Sequence, residues 1–195
     1  MYPQRTRIVC IAGSLRRQSW NRHLLLEARR LAPPELALDV YERLHELPMF
    51  NEDLEADPGP GVRQLRAAVK AADGLLLATA EYNHSLPAVM KNVVDWLSRG
   101  EPSCLRRKPV AIIGATVGSG GTRLAQAALR QTLTATGAHV MAEPMLFVSR
   151  APSCFDEHGQ LSDVSIAHAL IDVLMCFDSW IGGASITGAA AAWQA

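Results

Sequence analysis

Three runs with no polar face constrain the fold of this chain more than any other feature: Ile8-Val9-Cys10-Ile11-Ala12, Gly74 to Thr79, and Pro109 to Ala115. A strand that is apolar on both sides must be covered on both sides, the condition met by a parallel sheet between two helical layers. Helical patterns alternate with these runs. Asn21 to Ala32 carries Leu24, Leu25, Ala28 and Leu31 on one side and is stopped by Pro33-Pro34. Val62 to Ala72 and Pro87 to Ser98 show similar stripes. A fourth helix follows the turn Gly118-Ser119-Gly120-Gly121 and runs to about Thr136, and a last one spans about Ser162 to Ile181. Leu36, Leu38 and Val40 alternate with Ala37, Asp39 and Tyr41, as in a half-exposed edge strand, and His139 to Ala142 reads as a weaker fifth strand.

This alternation predicts an α/β protein: a flavodoxin-like, doubly wound, five-stranded parallel sheet in the order 2-1-3-4-5, with helices on both faces. With 195 residues, 49% hydrophobic and 19% charged, we expect one domain over residues 1–195, with residues 182–195 as a loose tail. Lys plus Arg and Asp plus Glu both number 19, so no global field recruits nucleic acid or an acidic membrane. No stretch approaches the roughly 20 continuous apolar residues of a spanning helix. Cys10, Cys104, Cys154 and Cys176 form no CxxC pair; we expect reduced thiols, no metal site and a cytoplasmic protein.

In a doubly wound sheet, ligands bind beyond the carboxyl ends of the strands. Three unusual loops share that edge. The first, Gly13-Ser14-Leu15-Arg16-Arg17-Gln18-Ser19-Trp20-Asn21, opens a helix, whose free N–H groups suit a phosphate. Ser14, Ser19 and Asn21 add polar donors, Arg16 or Arg17 adds charge, and Gly13 allows a sharp exit from the strand. Ser19 or Asn21 can equally be a helix cap. GxxxxGK[ST] is absent, and so is GxGxxG, since Arg123 fills its third glycine position after Gly118-Ser119-Gly120. Cys10 and Arg16 have the Cys-x5-Arg spacing of cysteine phosphatases, although Ile11 and Ala12 extend the strand beyond the thiol.

The second loop, Ala80-Glu81-Tyr82-Asn83-His84-Ser85-Leu86-Pro87, places amides and aromatic faces where a flat heteroaromatic ring could rest. Asn83 can donate and accept, Tyr82 and His84 can flank the ring, and Glu81 can accept from a ribityl hydroxyl or bond amides within its own loop. The third loop, Thr116-Val117-Gly118-Ser119-Gly120, permits close backbone approach or is simply a turn.

With these motifs the sequence resembles the NADPH-dependent FMN reductases, which include flavin-dependent quinone, azo-dye and chromate reductases. The resemblance rests on Gly13 to Arg16 with Ser19 and Asn21, and on Glu81 to Ser85 with Lys91-Asn92 and Asp95 to Arg99. It also rests on the rim segment Leu47-Pro48-Met49-Phe50-Asn51-Glu52-Asp53, and it covers roughly Arg5 to Pro144. It implies an oxidoreductase that passes hydride from NADPH or NADH through bound FMN to a quinone, azo compound, free flavin or oxyanion. Contacts to the FMN phosphate are implied for Ser14, Arg16, Ser19 and Asn21, and contacts to the ring for Glu81, Tyr82, Asn83 and His84, with Thr116. Leu15, Trp20, Ala80 and Gly118 are further candidates for cofactor binding. No catalytic side chain is required, and a homodimer or homotetramer is expected by analogy. Ala80 replaces the usual Pro, and Phe50 stands where Tyr is common. A non-enzymatic FMN electron carrier and a flavin-binding interaction module are the rival functions, with the Cys10 phosphatase behind them.

Overall fold

The structure, a computed structural model, describes residues 5–192, with side chains described as far as Gly183. Strands β1 (Thr6–Gly13), β2 (Leu36–Val40), β3 (Gly74–Thr79), β4 (Pro109–Ala115) and β5 (His139–Val140) are parallel in the order 2-1-3-4-5. Strand β6 (Leu146–Val148) also pairs with β4, in parallel. The helices are α1 (Trp20–Leu31), α2 (Gly59–Ala71), α3 (Ala88–Leu97), α4 (Arg123–Ala135) and α5 (Val164–Ala192), with short 3-10 turns at Leu44–Glu46, Glu52–Leu54 and Ala151–Ser153.

The two-faced strands sort their side chains by the period of two. Ile8, Cys10, Leu76, Ala78, Ala111 and Ile113 face Leu24, Leu25 and Ala28 of α1 and Leu170, Val173, Leu174 and Phe177 of α5. Val9, Ile11, Leu75, Leu77, Val110 and Ile112 face α2, α3 and α4 through Leu65, Val69, Met90, Val93, Leu129 and Leu133. Each fully buried Leu, Ile or Val contributes about 1.5–3 kcal/mol. Two cores, one per face, hold the strand ends in fixed relation.

The fifth strand position departs from the expected single strand over His139 to Ala142. It is filled twice: β5 pairs with Pro109 and Val110 at the start of β4, and β6 pairs with Ile113 to Ala115 at its end. Pro144, which has no N–H to donate, lies in the interruption. The sheet therefore has six strands rather than five. At the other end of the chain, α5 continues through the segment expected as a tail. Over Val164–Gly183 it is long and apolar enough, by length and a mean hydropathy of 1.5 alone, to cross a membrane, although His168, Asp172 and Asp178 interrupt any continuous apolar run. Leu170, Val173, Leu174 and Phe177 on one of its faces are nonetheless buried against the sheet.

One close approach positions the functional edge. A Cβ on Gly13 would meet Met90 Cε at 3.0 Å and Pro87 Cγ at 3.4 Å. Gly13 is thus needed for contact between the end of β1 and the start of α3, rather than for the sharp turn expected of it.

Candidate functional site

The loops after β1, β3 and β4 meet along the carboxyl edge, each with a different local cause. In the first, Ser19 caps α1: its Oγ accepts from Arg22 N–H at 3.3 Å, and its extended backbone (φ −80°, ψ 119°) is that of an N-cap. The capping reading is therefore realised for Ser19, which is only 2% exposed. Trp20 and Asn21 follow as the first two helical residues, and their N–H groups lack an intrahelical acceptor. No acidic residue occupies this first turn. Ser14 Oγ bends the loop by accepting from Arg16 N–H at 3.4 Å, while the Arg16 and Arg17 side chains are exposed.

Asn21 is turned inward. Its Nδ2 donates to Ala115 O and its Oδ1 accepts from Ala115 N–H, both at 2.9 Å, and the residue is only 3% exposed. This side chain clamps α1 to the end of β4, so only the backbone N–H of Asn21 is left for a ligand. Trp20 likewise turns its ring away, against Phe155 (5.4 Å between centroids) and His23 (5.9 Å).

In the second loop, Tyr82 N–H donates to Ser85 O at 3.1 Å and Ser85 N–H to Tyr82 O at 3.0 Å. Asn83 (φ 51°) and His84 (φ 60°) both lie in the left-handed region, which defines a type I′ turn. Asn and His are among the non-glycine residues best suited to that region. Part of the polarity that marks this loop is therefore turn chemistry. The turn exposes Tyr82, Asn83 and His84, with Ala80 buried behind them.

Glu81 has a partner that its local sequence did not suggest. Its Oε2 accepts from Ala125 N–H in the first turn of α4 at 2.9 Å, while His84 Nδ1 lies 3.8 Å from Oε1. A carboxylate at a helix N-terminus is favourable. Thr122, at the N-cap position of α4, makes no side-chain cap bond of its own. The start of α4 thus already holds an anion, whereas the start of α1 is open beside two exposed arginines. That contrast leaves α1, rather than α4, as the helix start able to receive an anion.

The third loop is braced by a segment that sequence reasoning missed. Thr116 N–H donates to Val148 O at 2.9 Å, Ala151 N–H to Thr116 O at 2.9 Å, and Arg150 N–H to Gly118 O at 3.0 Å. Only backbone groups take part, so no side-chain signature marks residues 148–151. Arg123, of uncertain role in the sequence, lies over the Phe147 ring, 5.0 Å from its centroid.

The rim segment is pinned to α3: Phe50 N–H donates to Asn92 Oδ1 at 2.7 Å, while Asn92 Nδ2 and Trp96 Nε1 both donate to Pro48 O, at 3.0 and 2.8 Å. Between the first and second loops runs an apolar cleft of about 470 Å³, walled by Leu15, Tyr82, Pro87, Ala88 and Val89, with Ser14 and Arg16 at its edge.

Cys10 takes no part. It is fully buried in β1, its Sγ lies 4.0 Å from Ile8 O, and burial pushes its thiol far above the usual range. A nucleophile needs an accessible thiolate, so the phosphatase reading fails. Cys104 and Cys154 are also buried, Cys176 is exposed, and all four thiols are free.

A family model described as NADPH-dependent FMN reductase matches residues 6–153. The chain is 38% identical over 176 residues to an NAD(P)H-dependent FMN reductase of Pseudomonas aeruginosa, covering 90% of this chain and 95% of that protein. It is 33% identical to a 2-hydroxy-1,4-benzoquinone reductase of a Burkholderia species, with 90% and 96% covered. Among solved structures, the flavoenzyme NAD(P)H:(acceptor) oxidoreductase FerB of Paracoccus denitrificans superposes with a TM-score of 0.84 at 31% identity, covering 91% of this chain and 98% of that one.

Proposed function

The chain belongs to the NADPH-dependent FMN reductase family, oxidoreductases that use FMN with NAD(P)H, and on that footing we propose that it binds FMN at the carboxyl edge of its sheet and reduces a quinone-like acceptor. The observation that carries this reading is the pairing of an open α1 N-terminus with the apolar cleft beside the Tyr82–Ser85 turn. The residues present fit the group. Two first-turn amides await an acceptor, and a Cβ on Gly118 would meet only Thr116 Oγ1, at 4.0 Å, so a ligand can approach the backbone there.

Backbone N–H groups of Leu15, Trp20 and Asn21 would hold the phosphate, with the Ser14 and Ser19 hydroxyls and the Arg16 guanidinium. Tyr82, Asn83 and His84 would hold the ring through the turn backbone, with Thr116 and Gly118 opposite. Glu81 acts at one remove, by fixing this turn to α4. FMN supplies the redox chemistry when bound; the protein's part is placement. Leu15, Pro87 and Val89 exclude water from one side of the cleft, and the exposed Tyr82 edge leaves room for a flat donor or acceptor. Hydride transfer demands an approach of about 3–3.5 Å, so shape rather than an acid or base governs the step.

The exposed apolar side chains Tyr82, Val117 and Leu124 support a homodimer or homotetramer with its contacts near this edge. We place the protein in the cytoplasm, in keeping with its free thiols. Anaerobic addition of NADPH to FMN-loaded protein tests the reading. Rapid bleaching of the flavin absorbance, restored by a benzoquinone, is expected. Flavin that is bound yet inert to both NADPH and NADH would instead fit an electron carrier or an interaction module.

A further inference from the structure

On the β2 side of the first loop lies a second cavity, of about 240 Å³. Ser14, Leu15 and Arg16 line both this cavity and the apolar cleft, so a single loop is their shared wall. We propose that the second cavity takes the ribose 2′-phosphate of NADPH, with Arg17 as the residue that distinguishes NADPH from NADH. The inference rests on the reading of the protein as an FMN reductase fed by a nicotinamide dinucleotide.

Charge makes the case first. The carboxylate in the cavity wall, Glu42, receives three hydrogen bonds of 2.8 to 3.1 Å from Arg22 and is neutralised by it. His45, also in the wall, lies 3.9 Å from Glu46 Oε1, an oxygen already bonded to Arg43 at 2.8 Å. Arg16 and Arg17 have no acceptor for their side chains among the described residues, and both line the cavity. With Arg16 assigned to the flavin phosphate, the result is a concave site in which the Arg17 guanidinium remains unanswered, a donor fork suited to a phosphate monoester.

Position makes it second. In doubly wound sheets that bind dinucleotides, the group beyond the second strand reads the ribose: a free carboxylate accepts from a 2′-hydroxyl, and an arginine accommodates a 2′-phosphate. Here the carboxylate after β2 is sealed by Arg22 and arginines face the space. Ser19, Trp20 and Asn21, the residues at the start of α1, do not line this cavity, so it adjoins the place assigned to the flavin phosphate through Ser14, Leu15 and Arg16 and extends away from it toward Arg17 and β2. At 240 Å³ it is also smaller than the roughly 300–1,000 Å³ of a whole-ligand pocket, as suits one end of a dinucleotide whose nicotinamide lies across Leu15 in the cleft.

The test is calorimetric titration of FMN-loaded protein with 2′,5′-ADP and with 5′-AMP, for the natural chain and for Arg17→Ala. Because Arg17 is exposed and unpaired, unchanged thermal unfolding is the control that the variant folds. We expect 2′,5′-ADP to bind more tightly than 5′-AMP and to weaken roughly tenfold in the variant, with 5′-AMP unaltered. The ratio of kcat/KM for NADPH to that for NADH should fall by a similar factor. Equal affinity for the two nucleotides in the natural chain, or unchanged 2′,5′-ADP affinity in the variant, would overturn the inference while leaving the reductase intact. Folded protein that takes up no FMN would instead overturn the functional reading, and this inference with it.

Discussion

Asn21 shows how a residue chosen for one role can hold another. Both ends of its amide are engaged by Ala115, itself 2% exposed, so truncation strands a buried N–H and a buried C=O. At about 1–3 kcal/mol for each, Asn21→Ala should lower unfolding stability by about 2–6 kcal/mol in urea titrations. Asn21→Asp loses the donor and buries a charge, so any loss of FMN in that variant should come with a lowered urea midpoint. Retention of full stability would show the clamp to be unimportant. Glu27, 3% exposed on α1, makes the complementary case for pH. Hydrogen bonds from Arg30 hold its carboxyl below the ordinary 4.5, against burial, which pushes it up, and with help from Leu161 N–H. The unfolded chain therefore binds the proton more readily. Stabilisation is complete above about pH 4.5 and disappears as pH falls through the lower folded value. Glu27→Gln should cost about 1–2 kcal/mol at pH 7, and its deficit in Tm should shrink on acidification. A deficit independent of pH would exclude this role.

At the scale of elements, the Tyr82–Ser85 turn tests whether backbone shape or side-chain identity governs the site. A β-branched residue in the left-handed region costs about 1–2 kcal/mol, and glycine pays no such penalty. Asn83→Val should therefore weaken FMN binding roughly tenfold and lower the urea midpoint, while Asn83→Gly stays near the natural protein. Equal FMN affinity in both variants would contradict a role for the turn. Legibility in the sequence also divides by element. Strands β1, β3 and β4 were readable because they are buried on both faces, and the loop after β1 was readable because Ser14, Arg16, Ser19 and Asn21 crowd one helix start. The fifth strand was read where β5 begins, at His139, but β6 was missed and the end of β5 overrun because the two pieces hold only two and three residues, too few to show a period. The support that residues 148–151 give Thr116 and Gly118 runs through backbone atoms alone, so it left no mark in the sequence. The partner of Glu81, 44 residues away on α4, is fixed by tertiary packing that no local pattern encodes.

Across the whole molecule, the two cores fix where the three strand ends lie, and the strand ends fix where phosphate and ring can go. Gly13 against Pro87 and Met90, Asn21 against Ala115, and Glu81 against Ala125 tie the three loops to one another across the sheet edge. That bracing holds the site in a fixed shape before a ligand arrives, which reduces the ordering cost of binding. Fluorescence titration of flavin-free, folded protein with FMN, with riboflavin as the phosphate-free comparison, tests the account most directly. It predicts saturable uptake of one FMN per chain, with riboflavin bound at least about tenfold more weakly for want of the α1 contacts. Folded protein that leaves FMN fluorescence unchanged, or that binds riboflavin equally well, would contradict it.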